Sequence, residues 1–278
     1  MPPGARRPTT KKIILGLLLA RRNRPLHVKV AIRACSLFDL TPNNVRVTLV
    51  RLSADGLIQS PERGLYVLGP QAEGMAGDVA GWREALQRLR PWDGRWALLV
   101  AAPAVLGERA ERKRRLQALG MLGFAELDAG AWIRPDNLEG GVAVLRERLL
   151  RLGLPRGLLL VEAQGLDEGH AQRAMALWDP VELQEGYAQQ AAFLEQWQQR
   201  WPAMDLEQAA RECYLFGTQA IRRLVFDPWL PDTMIDARAR ERFFRAVREF
   251  DATGQLIWQR LFDDDSVMPA ATGSQDER

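Results

Sequence analysis

Apolar residues in the first part of the chain follow helical spacing in three segments and strand spacing in two. Helices are predicted over 10–20, 27–37 and 42–55. The third has a threonine at its N-cap position, a proline in its first turn and Gly56 where it should stop. Two short strands, "LIQS" and "LYVL", flank the turn "PERG". Three helices followed by a hairpin predict a winged helix-turn-helix.

The pattern changes between positions 95 and 165, where strand-like and helical segments alternate. In chain order these segments are "RWALLVAA", "GERAERKRRLQALGMLG", "FAEL", "AWIRP", "NLEGGVAVLRERLLRLG" and "GLLLVEA". Their βαββαβ order is that of a ferredoxin-like domain, an antiparallel sheet with two helices on one face. We therefore predict such a domain at the centre of the chain.

From position 169 to 264 nearly all of the pattern is helical, with breaks at "DPVEL" and "DPWLPD". The fold class predicted from the three patterns is α+β. The predicted division is a winged helix at 1–80, a ferredoxin-like domain at 81–168, a helical domain at 169–264 and a disordered tail at 265–278.

Charge is distributed unevenly along the chain. The chain contains 38 Lys and Arg residues, of which 12 lie in 1–70, and 35 Asp and Glu residues, of which 3 lie there. Residues 1–70 therefore have a net charge of +9. The remaining 26 basic and 32 acidic residues give the rest of the chain a net charge of −6. A basic N-terminal region on an acidic body indicates a localised surface for a polyanion, with a solvated basic face as the alternative.

Two cysteines, Cys35 and Cys213, lie in separate apolar helical segments, so we expect buried free thiols and a reducing compartment. The apolar run "IILGLLLA" is followed at once by "RRNR", which does not fit the cleavage site of a secretory signal. No run approaches the roughly 18 apolar residues of a membrane span. We predict a cytoplasmic protein that does not bind a membrane.

The third predicted helix has a buried face and a free face. Val45, Leu49 and Leu52 share one side and should contact the first two helices. The residues left outside in its first two turns are Asn43, Asn44, Arg46 and Val47. In a helix-turn-helix these positions reach base edges in the major groove, where Asn pairs with adenine and Arg with guanine. The alternative is the exposed polar face of a structural helix.

Three further cations fit phosphate contacts, which position a protein on DNA without specifying sequence. They are Arg63 at the tip of the hairpin and Lys11 and Lys12 in the first helix.

Residues that indicate catalysis are scarce. The two histidines, His27 and His170, have no cysteine or carboxylate neighbours at metal-ligand or catalytic-triad spacing. His27, at the start of the second helix, is expected to be a surface or capping residue. No phosphate-binding or dinucleotide-binding glycine motif is present in the sequence. We predict no catalytic residue, no metal and no cofactor.

Aromatic residues cluster near the predicted central sheet. "PWDGRW" contains Trp92 and Arg95, and "AWIRP" contains Trp132 and Arg134. These four residues are candidates for a ligand pocket, because such pockets combine aromatic walls with a few polar groups. The alternative is that the tryptophans fill interfaces between domains.

In their order along the chain, the basic N-terminal region, "PWDGRW", "LGFAEL…GAWIRPDNL" and "ALWDP" resemble the PaaX family of repressors of phenylacetate degradation, over positions 10 to 262. The resemblance implies a winged helix, a central domain similar to Cas2 and a helical C-terminal domain. It also implies a homodimer that binds double-stranded operator DNA and is released by an acyl-coenzyme A, such as phenylacetyl-coenzyme A, or by an aromatic acid. It assigns DNA reading to the third helix, where Arg51 joins the residues named above.

Two other classes of function remain open. Some proteins with the Cas2 fold are metal-dependent nucleases, a chemistry that needs an acidic residue at the end of the first central strand, where "LLVAAP" has none. The N-terminal region could instead belong to an adaptor whose winged helix binds another protein. Binding that does not weaken with rising salt would favour the adaptor, because phosphate contacts release counterions.

Overall fold

The computed structural model describes residues 7–20, 24–72, 77, 79, 81–102 and 107–264. The described residues form a mixed fold of helices and two antiparallel sheets. The predicted disordered tail, 265–278, lies outside the described residues.

The N-terminal region contains three helices and a small sheet. The helices are α1 (Thr10–Ala20), α2 (Val28–Ser36) and α3 (Pro42–Ala54). The strands are β1 (Leu26–His27), β2 (Ile58–Gln59) and β3 (Leu65–Leu68), in the order β1-β3-β2. The three helices and the hairpin follow one another as predicted. Strand β1 was not predicted, since two residues carry too little of an alternating pattern to be recognised.

Local interactions fix the ends of α3. The Thr41 side chain accepts a hydrogen bond from the backbone N–H of Asn44 at 3.3 Å and so caps the N-terminus. At the other end Gly56 adopts φ 67°, a conformation that costs glycine little. The Leu57 N–H then donates to the carbonyl of Leu52 at 2.9 Å, which completes a Schellman motif. The predicted boundaries of this helix therefore agree with the structure to within two residues.

The central part has the predicted βαββαβ order. Its elements are β4 (Trp96–Val100), α4 (Arg109–Met121), β5 (Ala125–Asp128), β6 (Ala131–Pro135), α5 (Gly141–Arg151) and β7 (Leu159–Ala163). The strands pair antiparallel in the order β5-β6-β4-β7. Ala97 and Leu99 of β4 contact α4 and α5 on one face of the sheet. Trp96 points to the other face and packs near Ala174.

The C-terminal part is helical, as predicted. It contains α6 (Glu168–Met175), α7 (Pro180–Arg200), α8 (Leu206–Val225) and α9 (Ala237–Asp264). Helix α6 lies against the sheet through Ala174, while α7, α8 and α9 form a bundle. Aromatic pairs join α7 to α9: Tyr187 stacks on Phe243 with ring centroids 5.7 Å apart, and Trp197 lies 4.7 Å from Phe250. Among the helices that the structure describes, none has the length and hydropathy required to span a membrane.

The segment between α8 and α9 ties the sheet to the bundle. Asn137 Nδ2, beyond the end of β6, donates a hydrogen bond to the carbonyl of Trp229 at 2.7 Å. The same amide accepts a bond from Arg134 Nη2 at 2.9 Å. Asn137 and Arg134 are both buried. These hydrogen bonds connect the end of the central sheet to the segment between α8 and α9, across the domain boundary predicted at residue 168.

One hydrophobic core includes residues of both the N-terminal helices and the C-terminal bundle. Buried residues of α1 and α3, such as Ile13 and Leu49, belong to the same cluster as Cys213 and Phe250 of the bundle. Both cysteines are buried and free, as predicted, and burial raises the pKa of each thiol to about 12. The predicted domain boundaries at 80 and 168 stay predictions.

Replacing Asn137 with Ala should lower the free energy of unfolding by about 2–4 kcal/mol, because the buried Arg134 guanidinium and Trp229 carbonyl each lose a partner. Urea denaturation followed by circular dichroism measures this loss. The matched control is Asn44→Ala, an exposed asparagine whose replacement should change stability by less than about 0.5 kcal/mol. Equal stabilities of the two variants would contradict a structural role for Asn137.

Candidate nucleic-acid interface

Helix α3 divides into the two faces that its sequence predicts. Val45, Leu49 and Leu52 are at most 1% exposed and lie in the core. The side chains predicted to read bases all lie on the exposed surface: Asn43, Asn44, Arg46 and Val47. Val47 is the apolar member of this face and is 41% exposed. The first two turns of α3 thus present two amides, a guanidinium and a small apolar group to solvent.

Further exposed cations lie on α3 itself and on other elements of the N-terminal region. Arg51 lies one turn further along α3, and Arg63 lies in the turn between β2 and β3. Lys11 and Lys12 are exposed in the first turn of α1. Within the described part of the chain, no carboxylate lies at ion-pair distance from any of these four side chains. Their charges are therefore available to an anionic partner.

Two further basic residues of the N-terminal region lie next to β1 and were not predicted as site residues. Arg24 precedes β1 and Lys29 lies in the first turn of α2, and both are exposed. Only the overall basic charge of the region signalled them. His27, between them, caps α2: its Nδ1 accepts a hydrogen bond from the Lys29 N–H at 3.1 Å. The expected capping role of His27 is confirmed.

The four residues predicted for a ligand pocket do not converge. Trp92 packs edge-on against Trp96, with ring centroids 5.1 Å apart, on the α6 side of the sheet. Arg95 is engaged by two carboxylates, with Nη1 3.0 Å from Glu162 and a closer contact to Asp93. Its hydrogen bonds lower the pKa of the Asp93 carboxyl to about 2. Trp92 and Arg95 therefore lie near each other at one end of the sheet.

Trp132 and Arg134 lie on the face of the sheet opposite to Trp92, the face that α4 and α5 cover. Trp132 is half-buried against the apolar cluster beneath these helices. Arg134 is fully buried, and its guanidinium donates to the carbonyls of Leu122 and Pro135 as well as to Asn137. Burial lowers the pKa of Arg134 to about 9, which leaves it charged at neutral pH. A ligand-binding role for the four residues stays a prediction.

The expectation that His170 lacks carboxylate neighbours is wrong. Its Nδ1 lies 2.5 Å from Asp167, and its Nε2 lies 3.7 Å from Asp128. The first contact arises locally, because Asp167 is the N-cap of α6 and also accepts the His170 N–H at 3.0 Å. The contact with Asp128 depends on how α6 packs against β5, which the spacing of residues along the sequence does not reveal. Within the described residues, no three His, Cys, Asp or Glu side chains converge as a set of metal ligands.

Comparison with solved structures supports the overall architecture. The chain resembles the structure described as uncharacterized protein Rv0674 from Mycobacterium tuberculosis, with a TM-score of 0.58 and 20% sequence identity. The similarity covers 91% of this chain and 98% of the other. At this identity the likeness concerns the fold alone. The comparison with curated proteins found no match.

Two family models match adjoining parts of the chain. The model described as PaaX protein central Cas2-like domain matches residues 89–175, which contain the four-stranded sheet and α6. The model described as PaaX-like protein C-terminal domain matches residues 178–260, which contain the helical bundle. The central domain is therefore Cas2-like, and the chain belongs to the PaaX family.

Proposed function

We propose that this protein is a ligand-responsive transcriptional repressor that binds operator DNA through α3. Members of the PaaX family are regulators, so the two family matches indicate a PaaX-like regulator. The observation that carries the DNA-binding proposal is the division of α3. Its apolar side chains are buried, while Asn43, Asn44 and Arg46 are exposed. The same region carries exposed cations that have no carboxylate at ion-pair distance among the residues that the structure describes.

In this proposal the N-terminal region is a winged helix. Helix α3 enters the major groove, and the turn between β2 and β3 is the tip of the wing. The amide of Asn43 or Asn44 pairs with adenine and the Arg46 guanidinium with guanine, while Val47 contacts a thymine methyl. Arg63 and the two lysines of α1 contact phosphates. These roles fit exposed side chains that form no ion pair with any residue the structure describes.

The proposed repressor acts as a homodimer. Two copies of α3 enter successive major grooves about 34 Å apart on a roughly palindromic operator. An aromatic acyl-coenzyme A such as phenylacetyl-coenzyme A, or a related aromatic acid, releases the dimer. It does so by binding more tightly to a conformation in which the two α3 helices are wrongly spaced, since a ligand shifts an equilibrium only by its differential affinity.

Replacing Arg46 with Ala should weaken operator binding by about 1–3 kcal/mol and relax discrimination at one base pair, because a bidentate contact to guanine is lost. The operator is first isolated by capturing genomic fragments with the purified protein. Fluorescence anisotropy with the captured operator, its single-base variants and random DNA then measures the change.

The matched control is Arg238→Ala, since the Arg238 side chain is 90% exposed at the start of α9, away from the proposed interface. It should leave operator affinity unchanged. Equal losses of affinity on operator and random DNA in Arg46→Ala would exclude base reading by Arg46.

Salt dependence distinguishes the repressor from the adaptor. Replacing Lys11 or Lys12 with Ala should reduce the slope of log K against log salt by about 1 each and weaken operator and random DNA alike, because each replacement removes one phosphate contact. The measurement is a salt titration of DNA affinity. An affinity independent of salt in the unmodified protein would contradict phosphate binding and favour the adaptor.

A further inference from the structure

A cleft separates the turn between α2 and α3 from the C-terminal bundle. Its volume is about 620 Å³, within the range typical of small-molecule sites. One wall is formed by Leu37, Phe38 and Asp39 in the turn that leads into α3. The other wall belongs to α7 and α8. The cleft therefore adjoins both the proposed DNA-binding region and the family's C-terminal domain.

The bundle wall contains an aromatic pair. Phe193 of α7 and Phe216 of α8 meet edge to face, with ring centroids 4.8 Å apart. Phe193 is 37% exposed, so part of its ring is accessible from the cleft. Leu215 lies beside the pair in the same wall. This part of the cleft suits a flat apolar group.

The same wall carries two cations without internal partners. Within the described residues, neither Arg200 nor Arg211 has an ion pair or a hydrogen bond from its guanidinium. Within the described residues Glu212 forms no ion pair with either arginine, and its two oxygens accept bonds from the neutral donors Trp197 Nε1 at 2.8 Å and Gln208 Nε2 at 3.0 Å. The other carboxylate of the cleft, Asp39, is engaged by Arg7. The two free guanidiniums can therefore bind an anion.

We propose that this cleft is the effector site, and that it binds an organic anion with an aromatic end. Arg200 and Arg211 hold the anionic group, and the Phe193–Phe216 pair contacts the ring. The location rests on the proposed function, because it assigns to one cavity the ligand that a responsive repressor needs. Aromatic carboxylates and their coenzyme A thioesters both combine a ring with an anion. In the free acid the anion is the carboxylate beside the ring, and in the thioester it is the phosphates at the far end of coenzyme A.

The position of the cleft gives the ligand a direct route to α3. Asp39 has φ 56°, a left-handed conformation that non-glycine residues adopt rarely, and Arg7 bonds both its carboxylate and the Phe38 carbonyl. The cap of α3, Thr41, follows two residues later. A ligand between this turn and α8 acts on the segment that orients α3.

A second cavity, of about 190 Å³ beside β7, fits this ligand less well. Leucines form most of its lining, and of its two arginines, Arg146 and Arg156, the first already donates to the carbonyls of Leu158 and Leu160 at 3.3 and 2.6 Å. It offers a smaller space than the cleft, without an aromatic side chain in its lining.

Calorimetry on the full-length protein without DNA tests the site, with phenylacetate, phenylacetyl-coenzyme A and coenzyme A as probes. At least one of the two aromatic probes should bind, and Arg211→Gln and Phe193→Ala should each raise its Kd about tenfold, the loss expected for one charge-assisted or aromatic contact. Arg248→Gln, an exposed arginine of α9 outside the cleft, should leave Kd unchanged. Circular dichroism confirms that each variant is folded.

Comparison of the probes identifies the source of the anion: binding of the free acid or of the thioester supports the proposal in either case. Three results would overturn it. They are no binding of either aromatic probe at millimolar concentration, equal affinities of the unmodified protein and both cleft variants, and a loss confined to Arg95→Gln, which would place the ligand at the central sheet.

These outcomes are independent of those for DNA binding. A protein that binds an aromatic probe in the cleft but no operator would contradict the proposed repressor and retain the ligand site. A protein that binds its operator but fails the calorimetric test would retain the repressor and lose this cleft as the effector site.

Discussion

The contact of Tyr214 with the N-terminal helices is the interaction on which the arrangement of the proposed DNA-binding region depends. Its ring lies 5.4 Å from that of Phe38, at the end of α2, and 6.4 Å from Trp258 of α9. On α1 the ring lies so close that a Cβ added to Gly16 would stand 3.3 Å from Tyr214 Oη. One side chain of α8 thus contacts both α1 and the turn that leads into α3, so the placement of these two segments depends on the position of α8.

Apolar contact, more than charge, stabilises this junction. The ion pair between Arg33 and Glu207 also joins α2 to α8, at 2.7 Å, but its side chains are 35% and 45% exposed. A pair this open to solvent contributes at most about 1 kcal/mol. Burying one aromatic side chain such as Phe38, 5% exposed, contributes about 1.5–3 kcal/mol. The junction is therefore stable in salt, whereas the proposed phosphate contacts are sensitive to it.

Local patterns in the sequence predicted the helices and strands. Sites formed by residues far apart in the sequence were not predictable, because they depend on how those helices and strands pack. Helix α3 was predictable because Thr41 and Gly56 determine its ends and the spacing of its apolar residues determines its buried face. Trp92 and Trp132 lie on opposite faces of the sheet, a consequence of register that neither segment encodes alone. The cleft residues Phe193 and Arg211 were not predicted, because each belongs to an ordinary amphipathic helix and they meet only when α7 packs against α8.

The requirement for differential affinity limits how an effector in the cleft can act. A ligand that contacted only α7 and α8 would bind equally well to every orientation of α3 and would leave DNA binding unchanged. The cleft avoids this because Leu37 and Phe38 form its second wall, so its width depends on where the turn lies relative to α8. In a dimer each protomer contributes one such displacement, and two helices that must fit grooves about 34 Å apart tolerate little of it. In the proposed repressor, a ligand that moved the turn at Asp39 would therefore change the spacing of the two α3 helices and weaken their fit to the operator.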